Sequence, residues 1–188
     1  MTERRRVRTS SATAAACSLV AIVLASSVAY ATPTIGAHDV PTLFYVAKSD
    51  DRNRVDYGVR LDASCAPIGD APLYAYWRRF EPGQPQLGDL NFLDRRGYEI
   101  AHQQVRVREA NGSWIEFGIR ALPSRRLLAL VQRAGDRCVG AVQTTIRSEE
   151  AVLDHVFVQL DGPMRIREVV LRGEARVTGH PISERLRP

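Results

Sequence analysis

The sequence predicts an all-β, antiparallel domain of about nine strands with one short helix. Short runs of β-branched and aromatic residues recur along the chain, and turn residues separate them. Several runs alternate apolar and polar residues with a period of two, and no strand–helix–strand alternation is present. Successive hairpins suit an up-and-down barrel or a sandwich, and the short connections of the second half favour barrel-like closure.

The composition is that of an ordinary globular protein. The chain has 188 residues, of which 45% are hydrophobic and 25% are charged. These proportions exclude a disordered chain, a collagen and a membrane protein with several spans. The length suits one domain rather than two large ones.

The first thirty residues resemble an export signal. Four arginines at positions 4, 5, 6 and 8 precede an apolar run over residues 12–28, and Ala29-Tyr30-Ala31 is a small-x-small cleavage site. The most apolar part is shorter than the ~20 residues of a transmembrane helix. We therefore expect cleavage after Ala31, a periplasmic or extracellular location, and a single domain over residues 32–188 that is ordered from about 42 to 182. An uncleaved signal anchor is the alternative.

The charge of the mature chain does not favour a nucleic-acid partner. The leader holds four of the 26 Lys and Arg residues and one of the 21 Asp and Glu residues. Its removal leaves 22 basic and 20 acidic residues, a net charge of +2. These charges are interleaved, whereas nucleic-acid binding requires a basic patch or stripe. No transmembrane span is predicted in the mature chain.

The first half of the domain predicts three strands and the helix. The strands cover residues 43–48, 55–61 and 73–80. In the second strand Val55 and Tyr57 share one face and Asp56 takes the other. A breaker at residues 81–85 precedes a helix that we expect to begin at Asp89 and to stop at Gly97, with Leu90 and Leu93 facing inward.

The second half predicts three hairpins, each built around a turn dipeptide. The turns are Asn111-Gly112, Gly135-Asp136 and Asp161-Gly162, and the strands that they join cover residues 99–108 with 114–121, 127–132 with 137–147, and 152–160 with 164–177. Residues 32–41 and 183–188 are expected to be a loose leader and a loose tail.

Two cysteines remain after the predicted cleavage, Cys65 and Cys138. Paired thiols persist in the oxidising compartments that exported proteins enter, so we expect a disulfide between them. Two separate buried thiols are the alternative. Neither cysteine has a Cys or His at ligand spacing, so we predict no metal site.

Three segments resemble a family of exported bacterial proteins that is known only as a domain of unknown function. They are an aromatic strand ending in a basic residue and Ser (residues 43–49), an Asn-x-Val-x-Tyr strand (residues 53–57) and a Tyr-Trp strand (residues 74–78). Residues 93–98 take the position of the family's short helix, with Gly97 before Tyr98 rather than after an aromatic residue. The resemblance covers about residues 43–178. It implies an exported single domain and supplies no reaction, cofactor or substrate.

The sequence assigns no catalytic residue and no cofactor. Nucleophile-elbow, zinc-protease, phosphate-loop and dinucleotide-binding motifs are missing. A hydrolase with a scattered site around His102, Asp56 and Tyr57 stays as one alternative, because triads can be assembled from distant residues. Asp154 and His155 are adjacent on a strand, so we expect them to face opposite sides without forming a pair.

Five residues are candidates for ligand binding. Tyr74, Tyr76 and Arg78 share one strand face with Trp77 behind them, and aromatic rings beside a cation suit a sugar, a peptide or an anionic head group. Lys48 ends a strand at the expected mouth of the interior. We therefore expect an exported, non-enzymatic domain that binds a small amphiphile or another envelope component. The second alternative is a module that binds an envelope protein.

Overall fold

The computed structural model of the chain describes residues 33–83, 86–108, 112–161 and 165–187. The predicted signal peptide and its cleavage site lie outside these residues. Asn111 and Gly162, which form part of two predicted turns, lie outside them as well.

Strands dominate the part of the chain that the structure describes. The strands are β1 (Val40–Lys48), β2 (Asp51–Val59), β3 (Leu73–Arg78), β4 (Leu87–Asp89), β5 (Ile100–Arg108), β6 (Gly112–Ile119), β7 (Leu127–Ala134), β8 (Arg137–Ile146), β9 (Glu149–Leu160), β10 (Ile166–Ala175) and β11 (Pro181–Leu186). One helix, α1 (Phe92–Tyr98), lies between β4 and β5. The predicted all-β class with one short helix is confirmed.

All eleven strands belong to one sheet, in which β9 has an unusual position. The main order is β4-β3-β2-β1-β9-β8-β7-β6-β5, with β10 on the other edge of β9 and β11 on β10. Residues 149–153 of β9 pair with β8, and residues 155–158 pair with β1. Two different strands thus share one edge of β9, which is possible because β9 has twelve residues.

The expected barrel-like closure is wrong, and so is the exclusively antiparallel order. The path of the sheet ends at β4 and at β5, and the pairing of β1 with β9 is parallel. The short connections seen in the sequence indicate only which consecutive strands form hairpins. They carry no information on β1 and β9, which are separated by 100 residues of chain and can therefore align in parallel.

The three predicted hairpins are confirmed as antiparallel pairs. They are β5 with β6, β7 with β8, and β9 with β10. Two strands were missed. β4 has only three residues, and β11 lies in the expected loose tail, where it pairs with β10 from Pro181 to Leu186.

The sheet folds over so that two layers face each other across the core. The first layer is β4 to β1, and the second layer is β5 to β8. Phe44 of the first layer stacks on Tyr57 with ring centroids 4.5 Å apart and meets Phe117 of the second layer at 6.1 Å. The Leu73 backbone N–H donates to Oε1 of Gln103 at 2.9 Å, which joins the layers again. Burial of the alternate apolar side chains of both layers stabilises this arrangement.

Helix α1 begins and ends later than the sequence predicts. Asn91 rather than Asp89 is the N-cap, and its side chain accepts the backbone N–H groups of Leu93 and Asp94 while Asp94 accepts the N–H of Asn91. Asp89 instead lies in β4, opposite Tyr76. This reciprocal capping box satisfies the free N–H groups at the start of the helix. Leu90 is buried as expected, whereas Leu93 is 66% exposed.

Gly173 allows the backbones of β9 and β10 to lie close together at the point where the pairing register between the two strands shifts. The shift lies between Arg172 and Gly173, and a Cβ at Gly173 would lie 2.2 Å from the carbonyl oxygen of Val152. We expect Gly173→Ala to lower the free energy of unfolding by ~1–3 kcal/mol, because a backbone atom cannot move aside easily. Gly97→Ala is the matched control. Nothing lies within 4 Å of its added methyl, so this helical change should raise stability by ~0.5–1 kcal/mol.

Urea denaturation of the two variants and the unchanged protein measures both effects. Equal stabilities of Gly173→Ala and the unchanged protein would contradict the close approach.

Cys65 and Cys138 are bonded in the structure, 73 residues apart in sequence, as expected. The bond joins the β2–β3 connection of the first layer to β8 of the second. A loop of this length corresponds to about 4 kcal/mol of stabilisation in the chain-entropy model.

We expect the double change Cys65→Ser and Cys138→Ser to lower the free energy of unfolding by up to about 4 kcal/mol. The reduced wild-type protein should show the same loss and is the control. Mass spectrometry after alkylation should find no free thiol at either position before reduction, and two alkylated cysteines there would contradict the bond.

Candidate functional site

A cleft of about 740 Å³ lies at the end of the core where β1 finishes. It is bounded by α1, by the connection from β6 to β7, and by the ends of β9, β10 and β11. The volume lies within the range of small-molecule sites in proteins, ~300–1,000 Å³.

The floor of the cleft is apolar and continues the core. Leu122, Val158 and Val169 are buried members of the core cluster that also line the cleft. Leu93 and Ile166 line it from more exposed positions, at 66% and 44% exposure. When an apolar group covers a water-accessible apolar surface of this kind, the free energy of the protein and solvent falls.

The rim of the cleft is positively charged. Four cations line it, and one carboxylate, Asp94, does so as well; the cations are Lys48, Arg96, Arg120 and Arg187. Lys48 Nζ lies 3.7 Å from Asp51, and Arg120 Nε lies 3.5 Å from Glu99. Among the described residues, no carboxylate forms an ion pair with Arg96. The balance of charge on the rim therefore favours an anionic group.

Two hydrogen bonds from the first layer hold α1 beside the cleft. The Trp77 indole Nε1 donates to Asp94 Oδ2 at 2.8 Å, and the Tyr57 hydroxyl donates to the Tyr98 carbonyl at 2.7 Å. Tyr57 is fully buried, and burial raises its pKa well above the usual value, so the hydroxyl stays a donor. The helix thus forms a wall of the cleft although none of its residues is buried.

The sequence-predicted candidates Lys48 and Trp77 lie together, and Lys48 lines the cleft. Phe44 and Val46 of the same strand point into the core, so Lys48 reaches the end of the interior with its stem against apolar side chains. Its Nζ lies 5.4 Å from the Trp77 ring centroid. Trp77 is buried behind Lys48 and anchors α1.

The other three candidates, Tyr74, Tyr76 and Arg78, lie on the opposite, outer face of the first layer. Both tyrosines are buried, with 9% and 0% exposure, so they offer no open stacking surface. The Tyr76 hydroxyl lies 3.0 Å from the Pro41 carbonyl and 3.0 Å from Arg78 Nη2. The Tyr74 hydroxyl is buried without a hydrogen-bond partner among the described residues, and it lies against Gly58.

Asp56 organises this outer face. Its side chain is fully buried and accepts Arg54 Nε at 2.7 Å, Arg78 Nε at 2.6 Å and Thr42 Oγ1 at 2.9 Å. The hydrogen bond to Asp56 raises the pKa of Arg78 further above its usual range. Two cations on one carboxylate leave a net positive charge on the group formed by Arg54, Asp56 and Arg78.

The residues of the hydrolase alternative do not share one face. Tyr57 points into the core and contacts α1, whereas Asp56 points outward between two arginines. The imidazole of His102 lies over Gly118 of β6, where an added Cβ would come within 2.5 Å of Cε1. The described contacts therefore do not form a nucleophile–base–acid arrangement around these residues.

The expectation that Asp154 and His155 face opposite sides is wrong. His155 Nδ1 lies 2.7 Å from Asp154 Oδ2. In the pairing with β10, Arg172 is opposite His155 and Gly173 is opposite Leu153, so Asp154 is the extra residue of a β-bulge. A bulge breaks the alternation of side chains, which a sequence pattern cannot reveal.

The described residues contain no group of three or more His, Cys, Asp or Glu side chains that could hold a metal ion. The helix among them is too short to cross a bilayer.

The polar cleft residues that the sequence did not predict include members of three separate segments. Arg96 and Tyr98 lie on α1, Arg120 follows β6, and Arg187 follows β11. A signal exists in the sequence for Arg120, because this residue follows an apolar strand in the same way that Lys48 ends one. Arg187 follows the mixed polar and apolar strand β11, so no such signal marks it. Only the topology brings the three strand ends together.

Comparison with known proteins finds one family. The family model described as Domain of unknown function (DUF4833) matches residues 44–185 of the chain. No curated protein and no solved structure shows significant similarity.

The raised pKa of Tyr98 predicts that the stability of the protein depends on pH. Burial, followed by the nearby Asp94, raises the pKa of Tyr98 to about 12 from the usual 10.0. At a pH between these values the unfolded chain has lost the phenol proton and the folded chain has kept it, so the free energy of unfolding falls as the pH rises. We expect Tyr98→Phe to reduce this slope.

Urea denaturation of both proteins at several pH values above 10 measures the slope. Tyr74 has a raised pKa as well and contributes equally to both proteins. The pKa of Tyr57 is raised mainly by burial and further by Tyr98, so Tyr98→Phe removes part of that contribution too, and this lowers the slope in the same direction. Identical slopes for the variant and the unchanged protein would mean that Tyr98 titrates normally.

Proposed function

Because the chain belongs to the DUF4833 family, a domain of unknown function, we propose a function from its own geometry. We propose that it is an exported, non-enzymatic domain that binds a small anionic amphiphile in the cleft at the end of the core. The observation that carries the proposal is the combination of an apolar floor with a cationic rim in one cleft.

The chemistry of the cleft matches the two ends of an amphiphile. The apolar tail would cover the surface of Leu122, Val158 and Val169, and each buried methylene contributes ~0.8 kcal/mol before the cost of association. The head group would remain at the rim, where Lys48 and the three arginines stay in water. Exposed ion pairs contribute little affinity, so the tail supplies most of the binding free energy and the rim selects the charge.

The leader supports an exported location for this activity. An arginine-rich start, an apolar run and a small-x-small site are typical of secretory signals. Amphiphiles are abundant in the envelope that such a protein reaches. The proposed mechanism is reversible binding, in which the chain contributes shape, apolar surface and charge and no bond is made or broken.

The two alternatives receive less support from the described contacts. An envelope protein docking on the tyrosine face would find Tyr74 and Tyr76 buried. A hydrolase would require Asp56 and Tyr57 to act at one site, although they point to opposite faces of β2.

Neighbouring residues of α1 allow a matched test of the proposed site. Leu93 lines the cleft, whereas Phe92 is even more exposed, at 75%, and does not line it. We expect Leu93→Ser to weaken binding of dodecyl phosphate about fivefold, or ~1 kcal/mol, because it removes apolar contact with the tail. Phe92→Ser is the control: it leaves the apolar surface of the cleft intact and removes only the ring that faces the Arg96 guanidinium at 5.6 Å, so the contribution of the tail to binding should stay as in the unchanged protein. Isothermal titration calorimetry below the micelle concentration measures both.

The role of the rim charge is tested with a second amphiphile that has a tail of the same length and a head group of opposite charge. Dodecyltrimethylammonium should bind more weakly than dodecyl phosphate, and Arg120→Gln should reduce this difference. The exposed Arg137, which does not line the cleft, supplies the control Arg137→Gln. Equal binding of the two amphiphiles would contradict the role of the rim. Equal binding by Leu93→Ser and Phe92→Ser would contradict the site.

A further inference from the structure

The outer face of the first layer holds two arginines on one buried carboxylate. Arg54 and Arg78 are directly opposite each other on β2 and β3, and each donates its Nε to a different oxygen of Asp56. Two guanidinium groups bound to one carboxylate lie within roughly 7 Å of each other, a span that one phosphate or carboxylate group can bridge.

Each guanidinium keeps N–H groups that the protein does not use. Beyond Nε, Arg54 Nη2 lies 3.5 Å from Asp56, and Arg78 Nη2 donates to the Tyr76 hydroxyl. Among the described residues, neither Nη1 group has a hydrogen-bond partner. The two side chains are 28% and 30% exposed, so a ligand can reach them from solvent.

Aromatic rings hold Arg54 in place. Its guanidinium carbon lies 4.2 Å from the Tyr45 ring centroid and 5.7 Å from the Phe80 ring centroid. Tyr45 in turn stacks on His155, with centroids 5.0 Å apart and an angle of 5° between the rings. A guanidinium that is already oriented loses little side-chain entropy when it binds an anion.

Asp56 cannot neutralise both arginines, and this separates the arrangement from a purely structural ion pair. One arginine would suffice to compensate one buried carboxylate. The second arginine adds an uncompensated positive charge next to the first, which is unfavourable unless solvent or an anion offsets it. The excess charge and the unused N–H groups occur at the same place.

We propose that Arg54 and Arg78 form a second binding site, for a phosphate group, on the face opposite the cleft. Asp56 acts as the positioning residue that holds the two Nε atoms, and the Nη1 groups bind the phosphate oxygens. Arginine suits this task because its planar guanidinium can engage one acceptor with Nε and another with Nη. This proposal does not depend on the cleft.

Titration of the unchanged protein with inorganic phosphate is the first test. Side-chain NMR resolves the Nε–Hε signals of arginines, and Arg126, which forms an exposed pair with Glu116, is the internal reference. We expect saturable shifts of the Arg54 and Arg78 signals with one common dissociation constant, and no saturable shift of Arg126. Shifts that increase linearly and equally for all three arginines would overturn the proposal.

Arg78→Lys is the matching variant. Lysine keeps the charge beside Asp56, so the fold should persist, but its single ammonium group cannot hold Asp56 and the phosphate at once. We expect at least a fivefold weaker affinity for phosphate, with Arg126→Lys as the control that binds unchanged. Far-ultraviolet circular dichroism checks the fold of both variants. A folded Arg78→Lys protein with the original affinity would overturn the proposal, and if it does not fold, the unchanged-protein titration decides.

A free phosphate compound and a lipid head group can be distinguished by comparing glycerol 3-phosphate with dodecyl phosphate. The comparison uses the Leu93→Ser protein, in which we expect the cleft to bind amphiphiles more weakly. If the Arg54 and Arg78 signals give equal affinities for the two compounds, the site binds a free phosphate compound. A tighter affinity for dodecyl phosphate would assign it to the phosphate of a lipid head group. Saturation by neither compound would overturn the proposal.

Discussion

The fold depends on the pairing of β9 with two different strands along one edge. Its first residues continue the second layer through β8, and its later residues continue the first layer through a parallel pairing with β1. The bulge at Asp154 lies at the change from one partner to the other. Since backbone groups in a core must be hydrogen-bonded, β9 can serve both layers only where each partner covers a different stretch of its edge.

The cleft is a consequence of this arrangement. The cleft lies where β1 and β9 end, and α1 borders it on one side. Trp77 and Tyr57 of the first layer donate the hydrogen bonds that hold the helix there. Residues of the first layer therefore determine the position of this wall, whereas the second layer contributes the β6–β7 connection to the cleft. The disulfide between Cys65 and Cys138 joins the same two layers at a separate position.

Local patterns predicted more than long-range ones did. Alternation correctly separated Tyr57 from Asp56, and turn residues located three hairpins, because both depend on neighbours in sequence. The parallel pairing of β1 with β9 and the bulge at Asp154 depend on contacts between distant strands, so the sequence could not reveal them. The same holds for the site. Lys48 was identifiable as the end of an inward-facing strand, whereas its proximity to Arg96, Arg120 and Arg187 follows from the topology alone.

Native mass spectrometry of the protein, purified from its natural source without added ligand, tests whether the cleft holds an anionic amphiphile. We expect a reproducible additional mass that is lost on denaturation and that fragments as an anionic amphiphile. We also expect the Leu93→Ser protein to retain less of this mass than the Phe92→Ser protein. A bare monomer mass, unchanged after incubation with dodecyl phosphate, would contradict the proposed binding of an amphiphile in the cleft.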